Sequence, residues 1–308
     1  MTTLLIKVTE LYIVGLLTLL IARRVSATGR HLQCVCVLTG SLLLPLAALL
    51  PRTEISLLYP INASAVTSRT LTKFAGLPAR DLLLALWAIG SVALLLRLAI
   101  GYWRIRQLVR SAEPLEPGLY AADLNVPIAS GLLQPIVLMP RFAAEWPEWQ
   151  RTAALRHERA HIERKDLIAN FVAHLACSLY WFHPLAWVLA VFQRRAQEEA
   201  CDDAVLYAGF DPATYAEALL AVAQNSTSNL IPGIAGCPMT TQTNVKTRIM
   251  RLLDSSIART TSRVNLRRTA IAFAALLLTI GIQVRADQVY KVGDGVTPPS
   301  VIQKVDPQ

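Results

Sequence analysis

The string Leu155-Arg156-His157-Glu158-Arg159-Ala160-His161 sets two histidines four residues apart, with a glutamate directly after the first. Four residues is just over one helical turn, so on a helix both imidazoles share a face and can bind one ion. Zinc held there lowers the pKa of water to about 7, and the carboxylate of Glu158 is close enough to take its proton during attack on a peptide carbonyl. The pattern fixes only three positions, so a chance occurrence in one chain is on the order of one in several hundred. The chain has five histidines and places two of them here, in a segment of helical character over 148–163.

Two histidines need at least one more protein ligand. Downstream, Glu198-Glu199-Ala200-Cys201-Asp202-Asp203 supplies acids, with Glu198 and Asp202 again four apart. Glu198 is the expected third ligand. Asp202 is expected behind the ligands, accepting a hydrogen bond from an imidazole and fixing its tautomer. Glu199 takes the ligand role if the helical phase shifts by one, and a solvated acidic face is the plainer reading of the whole run. Cys201 is either a soft ligand or a buried hydrophobe. His174 and His183 lie in an apolar run, where a histidine is either functional or a hydrogen-bonded core residue. Tyr207 is a candidate electrophile that nothing in the sequence singles out. Cys34 and Cys36 sit without partners in an apolar stretch and read as buried hydrophobes.

The elements that carry these residues belong to an unusually apolar chain. Hydrophobic residues make up 54% of the 308 positions and charged residues 17%, against roughly 45–50% and about 25% in soluble domains. The apolar residues form blocks of membrane-spanning length at 4–22, 32–50, 82–103 and 269–284. The net charge of +9 gathers beside these blocks, at Arg23-Arg24, Arg104 with Arg106, and Arg267-Arg268, which favours a membrane surface over nucleic acid. Basic residues also predict that these three flanks are cytoplasmic, with 51–80 and both termini outside. The five cysteines form no disulfide pattern, and Lys7 and Glu10 interrupt the first block too early for a cleavable signal peptide.

The region 104–268 between the third and fourth spans holds the candidate site. It opens with a strand-like passage at 127–140 punctuated by Gly131, Pro135 and Pro140. After the 148–163 helix comes an apolar run over 167–192, read as a helix pair broken near His183-Pro184 that dips into the bilayer or packs on the spans. The expected domains are therefore three spans over 1–103, a peptidase domain over 104–268, a fourth span over 269–285 and a tail over 286–308.

His157-Glu158-x-x-His161-x-x-Arg164-x-Asp166, Trp181-Phe182-His183-Pro184 and Glu198-x-x-Cys201-Asp202 together resemble the BlaR/MecR-type membrane metallopeptidases. The similarity extends to 131–140 and to Lys246-Thr247-Arg248-Ile249-x-x-Leu252-Leu253, and it takes in nearly all of 1–285. The resemblance implies a mainly α membrane protein of four or more transmembrane helices, with an inserted small α+β zincin-like (gluzincin) domain on the cytoplasmic side. It implies one Zn2+ held by His157, His161 and Glu198, with Glu158 as base. It implies an inner-membrane enzyme of bacterial signal transduction, whose partners are the bilayer and a protein substrate, either a cytoplasmic repressor or itself, without direct nucleic-acid binding. The best-known members carry a penicillin-binding sensor after the fourth span; here about two dozen residues follow, and 293–307 resemble the Pro-rich opening of a TonB-type C-terminal domain. The rival expectation is a non-enzymatic transducer with a structural or silent zinc site. An adjacent base speaks against it, because closed structural sites take four protein ligands and no base.

Overall fold

The computed structural model of the chain describes residues 2–21, 25–47, 54–59, 79–225, 242–256, 259 and 283–288. Two helices lead, α1 (Thr2–Ile21) and α2 (Ala27–Ala47), followed by strand β1 (Glu54–Tyr59) and the long helix α3 (Ala79–Arg110). Four short strands come next: β2 (Glu113–Glu116), β3 (Leu119–Ala122), β4 (Ile128–Ser130) and β5 (Ile136–Pro140). After a 3-10 turn (Arg141–Glu145) the chain is helical, through α4 (Glu148–Glu163), α5 (Asp166–Leu179), α6 (Pro184–Tyr207), α7 (Pro212–Asn225) and α8 (Gln242–Leu253). Strand β6 (Gln283–Gln288) pairs in parallel with β1, so the segment expected outside after the second span meets the segment expected outside after the fourth.

The apolar run of 167–192 folds as the expected helix pair. Proline fits the first turn of a helix because its missing N–H has no intrahelical acceptor there, and Pro184 opens α6 with His183 as the preceding cap. The pair packs against the leading helices, in a core of Val8, Leu11, Tyr12, Cys34, Leu38, Ala176 and Leu189. Burying each large aliphatic side chain contributes roughly 1.5–3 kcal/mol. Two polar groups inside this core are paired across elements: the Tyr180 hydroxyl donates to the Ser41 carbonyl at 2.8 Å, and His183 Nε2 lies 3.0 Å from Thr9 Oγ1. His183 is thus a hydrogen-bonded packing residue, and Cys34 is the buried hydrophobe its surroundings predict.

Two helices among the described residues are long and apolar enough to cross a membrane, in α1 (Thr3–Leu20) and α3 (Arg80–Arg110). Leu82, Leu86, Ile89, Leu96, Ile100 and Trp103 leave the length of α3 open to its surroundings, a surface that favours an apolar medium. The expected second span falls on α2, whose first turns carry Arg30, His31 and Gln33; the Gln33 amide donates to Thr18 and to the Gly15 carbonyl on α1. The expected fourth span lies outside the described residues up to 282, and its last two residues, Gln283 and Val284, belong to strand β6. Of the tail, only 286–288 are described.

Helix α3 docks on the end of α5 through two tryptophans. Trp87 Nε1 donates to the Leu179 carbonyl and Trp181 Nε1 to the Trp87 carbonyl. Gly90 permits this approach, since a Cβ there would stand 2.5 Å from the Trp181 ring. Gly90→Leu should therefore overpack the contact and cost about 1–3 kcal/mol, read as a lowered melting temperature in detergent; an unchanged Tm would contradict the docking.

The small sheet has the order β2-β3-β5-β4, with β3 and β5 parallel and β4 antiparallel to β5. The strand-like 127–140 passage is thus a hairpin of β4 and β5. Gly131 turns it with φ +94°, where a Cβ would stand 2.2 Å from the Gln134 carbonyl oxygen. Strand β4 is the sheet's edge on the side of α4. Strands β2 and β3 were not expected, being four residues each, with Pro114 and two glutamates in β2.

Candidate metal centre

Helix α4 carries His157, Glu158 and His161, and α6 brings Glu198 across to them. One ligand atom from each of His157, His161 and Glu198 lies within 4.8 Å of the others. His157 Nε2 is 3.6 Å from Glu198 Oε2, and His161 Nε2 is 3.8 Å from Glu198 Oε1. Bonds of 2.0–2.2 Å at tetrahedral angles separate ligand atoms by about 3.3–3.6 Å. The two imidazole–carboxylate distances exceed that by a few tenths of an ångström at most, and two imidazoles with one carboxylate are donors that suit Zn2+. The residues fit the ion.

Both rings are held by the nitrogen that faces away from the cluster. His161 Nδ1 lies 3.0 Å from Asp166 Oδ2. His157 Nδ1 lies 2.9 Å from the Tyr215 oxygen, whose hydroxyl donates to Asp202 Oδ1 at 2.8 Å. An Nδ1 proton donated outward in each case leaves the Nε2 lone pair for a metal. Burial and the nearby Asp202 charge push the Tyr215 phenol well above its usual pKa, so it remains a donor.

The turn that returns Asp166 to His161 is tight. Helix α4 ends at Arg164, and Lys165 adopts φ +59° in the left-handed region before α5 begins. Asp166 is fully buried and also accepts from Arg164 Nε at 3.2 Å. Burial works against its charge, yet the bonds from His161 and Arg164 hold its carboxyl below the usual range. Arg164 in turn donates to Thr28 Oγ1 on α2 at 3.0 Å, which ties the back of the site to the leading helices.

Glu158 points into a cavity of about 540 Å³ lined by Tyr102, Ser130, Leu132, His174, Leu219 and the candidate ligands. Its Oε2 accepts the Ala129 N–H of edge strand β4 at 2.6 Å, which leaves Oε1 unengaged by that bond. Desolvation in the cavity wall raises its pKa above the ordinary carboxylate value, against the pull of His161 and His157. For Glu198, desolvation is outweighed by the Arg248 guanidinium and the two imidazoles, and its carboxyl sits well below the usual range.

Other sequence candidates separate clearly. Glu199 faces away and pairs with Arg30 at 2.5 Å and Arg251 at 3.4 Å, which leaves Glu198 as the acid of this pair turned to the two histidines. Asp202 lies 3.4 Å from His157 Nδ1 and reaches it chiefly through Tyr215. Cys201 sits behind His161, with Sγ 3.2 Å from Nδ1 and 3.4 Å from Asp166 Oδ2. With those two residues it forms a second close group, but burial pushes its thiol up to about 12, where it is a neutral donor. Tyr207 is 56% exposed at the end of α6 and takes no part. His174 lines the cavity wall.

Three neighbours of the ligands had no role assigned from sequence. Asp166 follows His161 by five residues, an offset that signals nothing without the left-handed turn. Tyr215 and Arg248 come from α7 and α8. Arg248 donates from Nε and Nη2 to Asp202, at 2.9 and 2.6 Å, and its Nη1 lies 3.0 Å from Glu198 Oε2.

Residues 13–252 match the family model described as BlaR1 peptidase M56. The chain belongs to this peptidase family. The match to M56 runs from α1 to α8 and includes every residue of the cluster, its outer partners and Arg248. The chain is also 32% identical over 83 residues to the regulatory protein BlaR1 of Bacillus licheniformis, a stretch that covers 27% of this chain and 14% of that protein. The matched part is therefore a small share of the relative's length. The family and this relative support a membrane-associated regulatory peptidase in general.

Proposed function

We propose that this M56 chain is a membrane-embedded zinc endopeptidase that cuts peptide bonds at the cytoplasmic face in regulatory, signal-transducing proteolysis. The observation that carries the reading is the convergence of two Nε2 atoms and the Glu198 carboxylate on one point, with Glu158 in the same cavity wall. Zinc bound there supplies Lewis acidity toward the scissile carbonyl and makes water a nucleophile near neutral pH. His157 and His161 would hold the ion through Nε2, and Glu198 through its carboxylate. Glu158 takes the proton of the attacking water on the oxygen not bonded to Ala129 and delivers it to the leaving amine.

The substrate lies extended beside β4, the sheet edge at Ile128–Ser130 that borders the cavity, and pairs with backbone groups other than the Ala129 N–H, which Glu158 holds. The basic flank that begins with Arg104 and Arg106 at the end of α3 supports a cytoplasmic site. The substrates proposed are a cytoplasmic repressor or the chain itself, in keeping with a relative named as a regulatory protein.

Removal of the metal tests the reading. Purified protein should lose cleavage of itself and of added peptide when treated with a chelator, and regain it with stoichiometric zinc. Cleavage that persists in metal-free protein would contradict the proposal.

A further inference from the structure

The motif around Arg248 is used by nothing proposed so far, yet its side chain stands closer to the candidate ligand Glu198 than either histidine does. Helix α8 meets α6 as a ladder of charges. Arg248 engages Glu198 and Asp202, and Arg251 engages Asp203 at 2.8 Å and Glu199 at 3.4 Å. The two arginines are three residues apart, and each spans two acids four apart on the facing helix, so both can bind at once. The rungs differ in what they touch. The Arg251 rung lies on Glu199 and Asp203, away from the cluster, whereas the Arg248 rung ends on the cluster itself.

A guanidinium is planar with its donors in a fixed fork. Nε and Nη2 are both committed to Asp202, which is 1% exposed, and this fixes the plane of the group. Nη1 must then point where that plane sends it, to Glu198 Oε2. A carboxylate on a free side chain samples several rotamers, and its ordering would be charged against metal binding. Arg248 removes that freedom beforehand, and it engages one carboxylate oxygen while the other faces His161 Nε2. Through Asp202 and the Tyr215 hydroxyl the same guanidinium reaches His157 Nδ1. One side chain from α8 thus touches one candidate ligand directly and steadies a second.

We infer that Arg248 is a positioning residue for the metal centre, holding the carboxylate of Glu198 in its ligating orientation and supporting His157 through Asp202 and Tyr215. The inference rests on the zinc reading above. It predicts that an intact α8 is required for full metal affinity even though α8 supplies no ligand.

Zinc affinity of the full-length protein in detergent, measured by competition with a chromophoric chelator, tests it without reference to activity. Arg248→Ala should weaken zinc by about 10- to 100-fold, the range typical of outer partners of metal ligands. Arg251→Ala removes the other rung of the ladder and should change affinity less than about threefold. Equal losses in the two variants would mean that α8 acts only by docking, and would overturn the positioning role. Wild-type affinity in Arg248→Ala would overturn it as well. If Arg248→Ala does not fold, Arg248→Lys carries the same test, because an ammonium cannot span both carboxylates; it should lose about tenfold in affinity, and full affinity there would count against the inference. Failure of the zinc reading looks different: wild type itself would then bind no zinc in the same titration.

Discussion

Glu158→Gln should leave zinc content and affinity near wild type while lowering peptide cleavage by about 10²- to 10⁴-fold, the usual contribution of a positioned general base. Glutamine keeps the size of the side chain and a carbonyl oxygen that can still accept the Ala129 N–H. The strand edge and the cavity wall therefore remain in place. What is lost is the ability to take a proton, since an amide does not ionise. None of the three proposed ligands is altered. The measurement is paired: zinc per chain on the purified protein, and turnover of a quenched peptide or of the chain itself. Full activity would remove Glu158 from the mechanism. Loss of both zinc and activity would instead make it part of metal retention.

Glu198→Ala should have the opposite signature, with zinc affinity reduced by more than the roughly 10- to 100-fold typical of outer partners and activity lost as a consequence. Alanine removes a charged donor and leaves the two imidazoles, which are too few for a stable site. Arg248 keeps its two bonds to Asp202 in this variant, so α8 remains docked and the fold survives. Excess zinc should restore a fraction of the activity. Unchanged zinc affinity would move the third ligand elsewhere, and Cys201 would be the next residue to test.

The parts of this architecture that could be read ahead of the structure are those governed by local periodicity and local chemistry. The four-residue spacing in His157/His161 and in Glu198/Asp202 is a property of one helix each, so both faces were legible. The break at His183-Pro184 was legible because proline restricts the residue before it and starts the next helix well. Long-range pairings were not. Tyr215 and Arg248 lie 58 and 91 residues beyond His157, and no spacing rule connects them to it. Asp166 required the left-handed Lys165, a conformation that a lysine does not advertise. The β2–β3 pair was too short and too polar to stand out. In α2, Gln33 bonds to α1, Thr28 and His31 meet Arg164 at the back of the site and Arg30 pairs with Glu199 on α6, so apolar length alone described it incompletely.

The edges of the apolar blocks shifted for similar reasons. Helix α3 runs past the expected boundary at Trp103 to Arg110, because arginine, glutamine and leucine favour helix whether or not the apolar block continues. Its arginines end the apolar block and not the element.

X-ray absorption at the zinc edge of the zinc-loaded protein tests the central claim most directly, because it reports the atoms bound to the ion. Ligation by His157, His161 and Glu198 predicts nitrogen and oxygen neighbours at about 2.0–2.2 Å with the multiple-scattering signature of imidazole, and no sulfur. A sulfur neighbour at about 2.3 Å would place the ion on the Cys201 side of His161 and contradict the proposed centre.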